Sequence, residues 1–121
     1  MTVTRRPKGS TLADLRRLAL ALPGVTERPS YGTPGFRAGG KLFARLREDG
    51  QTLVLRVSDI DRDLLLRTAP AVFYLTDHYK SGPWILLRLA AAKPALLGSY
   101  LIDAWRTVAP PRSLAAFDGD D

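Results

Sequence analysis

Two runs of alternating polar and apolar residues occupy the centre of the chain, on either side of an Asp-Gly pair. The first run is 41–47 and the second is 52–57. Alternation with a period of two predicts half-buried strands, and Asp-Gly between such runs predicts a tight hairpin turn. With Asp49 and Gly50 as a two-residue loop, Leu46 faces Leu53, Ala44 faces Leu55 and Leu42 faces Val57.

This register gives the hairpin one apolar face and one basic face. The six residues just paired form the apolar face, and the basic face carries Lys41, Phe43, Arg45, Arg47, Thr52, Val54 and Arg56. A slip by one residue would bury the cations, so the register is well specified. A three-residue loop, 38–40, adds Arg37 to the basic face. A two-residue Gly39-Gly40 loop would bury Arg37, so the longer loop is predicted.

Helical spacing of apolar residues appears on both sides of this hairpin. Amphipathic helices are predicted at 11–22, 58–68 and 93–108, and further strands near 27–31, 72–76 and 84–89. The first and last helices each have one apolar stripe, so both should cover the same face of the sheet. The predicted fold class is therefore α+β. It is a two-layer sandwich whose antiparallel sheet has the N- and C-terminal helices on one face and water on the other.

The pattern defines a single domain between two polar ends. Residues 11–113 form the predicted α/β sandwich, which is long enough to bury a core. Residues 1–10 contain Arg5, Arg6 and Lys8 around a proline and are predicted to be a flexible basic arm. Residues 114–121 are predicted to be an acidic tail.

The charge balance of the chain favours an anionic partner. The chain has 18 Lys and Arg against 12 Asp and Glu, a formal net charge of +6, and three of the acids lie in the tail. A basic balance favours encounters with anions but does not define a fold. With no cysteine, no signal-peptide pattern and no apolar run of about 18 residues, the expectation is a cytoplasmic protein without a membrane segment.

Catalytic and metal-binding motifs are weak in this sequence. His78 is the only histidine and there is no cysteine, so no metal site and no cofactor are predicted. The run from Gly35 to Lys41 matches part of a phosphate-binding loop, but Leu42 stands where a Ser or Thr is required and a strand follows in place of a helix. The chain is therefore predicted not to be an enzyme.

The basic face is the remaining candidate for function. Arg and Lys side chains bind phosphate, and a flat aromatic ring can stack on a base. Trp84 and Arg88 extend this face if strand 84–89 joins the sheet with that parity. The alternative is a solvated surface whose charges prevent aggregation of the sheet.

Several short motifs occur together in one order. They are Ser30–Phe36, Gly40–Ala44, His78-Tyr79 and Pro83-Trp84, with Ala19–Val25 before them and Asp103–Trp105 after them. In this set the chain resembles the MmcQ/YjbR family, over about residues 11–113. The resemblance implies a frataxin-like α/β sandwich with a double-wing DNA-binding motif, and so DNA as partner. The motif residues Tyr31, Thr33, His78 and Tyr79 are candidates to line a groove beside the sheet.

The leading hypothesis is a non-enzymatic DNA-binding module that grips the phosphate backbone with low sequence specificity. The proposed contacts are Arg37, Lys41, Phe43, Arg45, Arg47, Arg56, Lys80, Trp84 and Arg88. A second hypothesis is a protein-interaction or small-anion-binding domain. A third is an enzyme that uses His78 with Tyr79 or Tyr31, which requires a concave pocket around these residues.

Overall fold

The structure is a computed structural model that describes residues 9–119. Its helices are α1 (Leu12–Leu20), α2 (Asp59–Thr68), α3 (Pro94–Arg106) and α4 (Pro111–Phe117), and its strands are β1 (Val25–Ser30), β2 (Thr33–Ala38), β3 (Lys41–Leu46), β4 (Thr52–Arg56), β5 (Phe73–Tyr74) and β6 (Trp84–Arg88). Short 3-10 turns lie at Asp77–Tyr79 and Leu89–Ala91. The strands form one antiparallel sheet in the order β1-β2-β3-β4-β6-β5.

The two long helices begin where their capping residues predict. At α1 the hydroxyl of Thr11 accepts from the backbone of Asp14, and the Asp14 carboxylate accepts from the backbone of Thr11, which together form a capping box. The bond from the Thr11 backbone N–H to the carboxylate lowers the pKa of Asp14. At α3 Pro94 occupies the first turn, where its missing N–H leaves no bond unmade.

The core lies between one face of the sheet and the helices. Helices α1 and α3 pack against each other, and α3 also packs on β3 and β4. Trp105 of α3 is fully buried, and its indole N–H donates to the carbonyl of Pro23 at 3.1 Å. The predicted α+β sandwich, with both long helices on one sheet face, is confirmed.

The structure differs in part from the predictions for the two ends of the domain, the basic arm and the acidic tail. Helix α4 includes residues 114–117, and Phe117 packs with its ring edge-on to Trp105 at 5.1 Å. These residues belong to the domain, because an apolar ring there covers the central tryptophan. Of the predicted arm, residues 1–8 lie outside the described residues. Ser10 is attached to the domain by two hydrogen bonds. Its backbone N–H donates to the carbonyl oxygen of Leu89 and its hydroxyl donates to the carbonyl oxygen of Ala92.

The central hairpin has the predicted register but a different turn. Leu46 pairs with Leu53 and Ala44 with Leu55, as predicted. The tight two-residue loop with positive φ at both Asp49 and Gly50 is wrong, since only Gly50 has a positive φ, of 69°. The Asp49 carboxylate instead accepts from the backbone of Gln51 and Thr52 and from the Thr52 hydroxyl, at 2.8–2.9 Å. These bonds close the loop.

The same hydrogen bonds make stability depend on the Asp49 charge. The backbone N–H of Gln51, followed by the Thr52 hydroxyl and N–H, lowers the Asp49 pKa below its ordinary 3.8. The stabilisation of the fold by the Asp49 carboxylate is therefore complete above about pH 4 and is lost as the pH falls through the lowered pKa. We expect the free energy of unfolding, measured with urea, to fall less between about pH 7 and about pH 3 in Asp49→Ala than in the original chain. An equal loss in both would contradict this, and Asp63→Ala, which removes an exposed α2 carboxylate, is the control.

The β2–β3 connection places Lys41, Leu42 and Phe43 on the faces opposite to those predicted. Gly39 and Gly40 form a two-residue turn with φ of 60° and 77°, so Ala38 pairs with Lys41 and Arg37 with Leu42. Phe36 then pairs with Ala44, which leaves Phe43 as the extra residue of a β-bulge. The predicted three-residue loop is wrong. The bulge restores the parity of the strand, so the short loop does not bury Arg37.

The two edge strands differ from the central ones. Strand β1 carries Pro29 and the exposed Arg28, and β5 has only two residues. Proline and charge on an edge strand are ordinary protections against pairing with another sheet. None of the helices in residues 9–119 has the length and apolar composition needed to cross a bilayer.

Candidate nucleic-acid interface

The sheet face opposite the helices carries a set of arginines, and we call it the arginine face. Directly paired residues of neighbouring strands share a face. Arg45 pairs with Val54, which pairs with Leu86, and Arg56 pairs with Trp84. By this register the arginines of the face are Arg37, Arg45, Arg47, Arg56 and Arg88, with Arg28 beside them on β1.

Part of the arginine face is covered by the chain itself. Val54 and Leu86 are buried there, although they lie outside the helix-side core. The covering segment is 75–83, between β5 and β6, which Arg62 of α2 anchors by donating to the carbonyl of Gly82 at 2.8 Å. The expectation that this whole face meets water is therefore corrected. An open groove remains beside the segment.

Aromatic rings lie beside four of the face arginines. The distances from guanidinium carbon to ring centre are 5.4 Å for Arg45 and Tyr31, 5.8 Å for Arg47 and Tyr79, 5.5 Å for Arg56 and Trp84, and 4.2 Å for Arg88 and Tyr74. A guanidinium over a ring gains a cation–π attraction and keeps the N–H donors at its edge available. The face therefore presents oriented cations interleaved with rings.

Arg45 differs from the other arginines because it is almost completely buried, at 8% exposure. It donates to the Thr33 hydroxyl at 3.0 Å, to its neighbour's carbonyl, the Leu46 oxygen, at 3.1 Å, and to the Tyr79 hydroxyl at 3.4 Å. All three acceptors are neutral. Its ion-pair partner is Glu48, at 3.7 Å, whose side chain is 65% exposed. The predicted phosphate contact Arg45 is thus first a structural link between strands and the 75–83 segment.

The more exposed arginines have donors to spare. Within residues 9–119, no ion pair or side-chain hydrogen bond involves Arg28, Arg37, Arg47 or Arg56. Arg37 and Arg28 line a second depression of about 530 Å³ along β1 and the Gly39-Gly40 turn. Unpaired guanidinium groups on one surface can donate bidentate hydrogen bonds to phosphate oxygens.

Three of the residues predicted to contact DNA do not lie on the arginine face of the strands. Phe43 is fully buried in the helix-side core, so its prediction as a stacking residue is wrong, and the bulge is the cause. Lys41 pairs with Ala38, a core residue, and so lies on the helix side of the sheet at its margin. Lys80 is exposed on the 75–83 segment and forms an ion pair with Asp77 at 3.1 Å.

The groove brings together residues that the sequence motifs singled out. It has a volume of about 600 Å³, and its aromatic walls are Tyr31, His78, Tyr79 and Trp84. Arg45, Leu42 and Val54 lie in it from the sheet, and Glu48 is the one carboxylate among its lining residues. Thr33 does not line the groove but holds Arg45 in place. The concave pocket that an enzyme or a ligand-binding domain would need is present.

Tyr31 is held in an unusual conformation at the tip of the β1–β2 hairpin. Ser30 pairs with Thr33, so Tyr31 and Gly32 form a two-residue turn with φ of 54° and 80°. Tyr31 is the one non-glycine residue with positive φ in the part of the chain described, and the residue is 87% exposed. A bulky residue in this region is strained by roughly 1–3 kcal/mol. Such strain at an exposed ring points to a role outside folding.

We therefore expect Tyr31→Asn to stabilise the fold. Asparagine is favoured at this position of a two-residue turn, and relief of about 1–3 kcal/mol exceeds the roughly 0.5–1 kcal/mol of an exposed cation–π contact with Arg45. Thermal unfolding should show a melting temperature raised by about 2–5 °C. Tyr31→Ala, which gives no such turn preference, is the control. A lower melting temperature for Tyr31→Asn than for Tyr31→Ala would show that the turn is not strained.

Catalytic groups are sparse around the groove. His78 stacks edge-on against Tyr79 at 4.7 Å, and no described residue makes a hydrogen bond to its ring. Within residues 9–119 no three His, Asp or Glu side chains come together as a metal site. What the groove offers chemically is a buried cation, several rings and hydroxyl groups, which are means of binding.

Sequence reasoning missed three members of this surface. Tyr74 lies on β5 and places its hydroxyl 3.1 Å from that of Thr52. Arg28 lies on the edge strand, and Glu48 belongs to the hairpin loop. The Tyr31-Gly32 pair between two β-like runs was the available signal for the strained turn, since a two-residue X-Gly loop of type I′ has positive φ at both residues.

The fold and this face together define a class: an α+β protein with a six-stranded antiparallel sheet, helices on one side and an arginine-rich groove on the other. The YjbR family model matches residues 20–107, and the chain belongs to the YjbR family. The resemblance to the MmcQ/YjbR family is thereby confirmed. The double-wing motif and the frataxin-like description stay predictions.

One solved structure supports the fold over nearly the full length. It is the Deinococcus radiodurans protein DR2400, described with the domain DUF419. The two chains are 21% identical with a TM-score of 0.72, and the match covers 98% of this chain and 94% of that chain. No curated protein matches the sequence.

Proposed function

We propose that this protein binds DNA through the phosphate backbone, with the arginine face as the contact surface and without catalysing a reaction. The observation that carries the proposal is the interleaving of arginines and rings on one sheet face, with Arg47 over Tyr79 and Arg56 over Trp84. A guanidinium group held over a ring keeps its N–H donors available, and a row of phosphates can accept hydrogen bonds from them.

The charge distribution supports the same partner. Arg28, Arg37, Arg47 and Arg56 form no ion pair with a carboxylate within residues 9–119. A surface with this excess of cations attracts a polyanion over a distance and binds it with release of counterions. A partner with regularly spaced charges satisfies several of these arginines at once, which a single small anion does not.

Low sequence specificity follows from the geometry of the face. The four helices of the described chain lie on the other side of the sheet or at its end, so none of them is placed to enter a major groove. Contacts between arginine and phosphate carry no base information. We therefore propose a module that holds the backbone of many sequences.

A salt titration tests the proposal. With about four phosphates neutralised, log affinity should fall against log salt with a slope of about −3.6 for duplex DNA, so affinity drops about 100-fold between about 50 mM and about 200 mM NaCl. Fluorescence anisotropy of a labelled oligonucleotide measures it. Polyglutamate of equal charge is the competitor for the alternative, an acidic protein partner. If polyglutamate competes as well as DNA, or if salt leaves the affinity unchanged, the proposal is wrong.

A further inference from the structure

The floor of the groove holds a buried positive charge whose one ion-pair partner among the described residues is an exposed carboxylate. Arg45 is 8% exposed, its hydrogen-bond acceptors are neutral oxygens, and Glu48 reaches it only from the exposed rim at 3.7 Å. A buried cation needs compensation by an anion or by several dipoles. Here neutral oxygens and a carboxylate at 3.7 Å provide it. A ligand that brings negative charge within hydrogen-bond distance of Arg45 would therefore interact with it more strongly than Glu48 does.

The aromatic walls of the groove suit a ligand that also carries a flat ring. Tyr31 rises from the hairpin tip on one side, and Trp84, Tyr79 and His78 lie on the other. Gly82 allows the Trp84 indole to lie close to the backbone, since a Cβ on residue 82 would stand 2.7 Å from the ring. Rings on two sides of an open slot suit stacking of a planar group.

The strained turn supports the same conclusion independently. Tyr31 is exposed and has φ of 54°, and the strain of this conformation exceeds the stabilisation expected from its exposed cation–π contact with Arg45. Asparagine or glycine would form this turn with less strain. An exposed ring kept under strain at the mouth of a groove is explained if the ring contacts a ligand.

We propose that the groove takes one unpaired nucleotide of the bound strand, with its base against Tyr31 and Trp84 and its phosphate toward Arg45. This inference rests on the proposed binding of DNA and adds to it a preference for single-stranded substrate. A paired base is stacked inside the duplex and must be turned out to reach such a slot, which is least costly when the strand is already single. The volume of about 600 Å³ is within the range of small-ligand sites.

The test compares strands that differ only in their bases. A single strand of about 16 nucleotides, an abasic strand of equal length and the corresponding duplex are titrated against the full chain. We expect the intact single strand to bind about tenfold or more tightly than the abasic strand, which carries the same phosphates. In Tyr31→Asn this ratio should fall close to one, and Tyr31→Phe, which keeps the ring, should restore it.

The outcomes separate the two proposals. Equal, salt-sensitive binding of intact and abasic strands overturns the nucleotide site and leaves the DNA-binding function standing. An undiminished ratio in Tyr31→Asn, with the melting temperature at or above that of the original chain, also overturns the site. Binding of free deoxyadenosine monophosphate that depends on Tyr31, without binding of any strand, overturns the DNA-binding function and with it the strand as the source of the nucleotide.

Discussion

Replacing Arg47 and Arg56 together by glutamate is expected to weaken DNA binding by about 100-fold or more. Each loses hydrogen bonds to charged phosphate worth about 1.5–3 kcal/mol and places a carboxylate beside the backbone instead. Neither residue forms a hydrogen bond or ion pair with another described side chain, so the cost to the fold should be limited to two cation–π contacts of roughly 0.5–1 kcal/mol each. Anisotropy titration at low salt measures the affinity, and the slope against log salt should become shallower by about 1.8 for duplex DNA.

The control for this prediction carries the same change in net charge on the other side of the protein. Arg67→Glu with Arg112→Glu alters exposed residues of α2 and α4 and should reduce affinity far less. A comparable loss in both double variants would mean that net charge, and not the arginine face, governs binding. Arg45 is unsuited to such a test. A glutamate there would face the carbonyl of Leu46 and disrupt the sheet as well as the surface.

Trp105→Ala is expected to have the largest effect on stability. The side chain is fully buried and contacts α4 through Phe117, so truncation leaves a large cavity. Replacement of a buried aromatic residue by alanine lowers the free energy of unfolding by about 3–5 kcal/mol, a large part of the roughly 5–15 kcal/mol that holds such a domain together. Urea denaturation followed by circular dichroism measures the difference.

A second substitution separates packing from hydrogen bonding at this position. Trp105→Phe keeps most of the apolar volume but loses the indole bond to Pro23, and it should cost about 1–3 kcal/mol. If Trp105→Ala were no more destabilising than Trp105→Phe, the tryptophan would not be the centre of the core. If α4 were only a tail, Phe117→Ala would leave stability unchanged, whereas its contact with Trp105 leads us to expect a loss.

The sequence was sufficient for the three longer helices, most of the strands and the register of the central hairpin, but not for α4 or the register of β2 with β3. Alternation along 41–47 and 52–57 requires Leu46 and Leu53 to share the core side, and the structure pairs them. The bulge at Phe43 was not predictable in the same way. It depends on Gly39 and Gly40 both adopting positive φ, and on space for a phenyl ring beneath β3, which only the packed helices define.

The candidate site was predictable in composition but not in the roles of its residues. Arg45 and Arg47 are equivalent by alternation, yet one is buried and the other is half-buried beside Tyr79. The difference arises from Thr33 and Tyr79, which lie 12 and 34 residues from Arg45 in the chain. Alternation along a strand predicts which face of the sheet a side chain lies on. Whether that face is covered depends on a segment far away in the sequence, here 75–83. Phe43, Lys41 and the strained Tyr31 show the same limit.

The short and proline-bearing margins of the sheet restrict how a partner can attach. A peptide that joins a sheet as an extra strand needs a run of free main-chain N–H and C=O groups. Strand β5 offers two residues, and β1 is interrupted by Pro29. Among the described residues, recognition is therefore left to side chains, and concentrated solutions of the protein should resist fibre formation by strand addition.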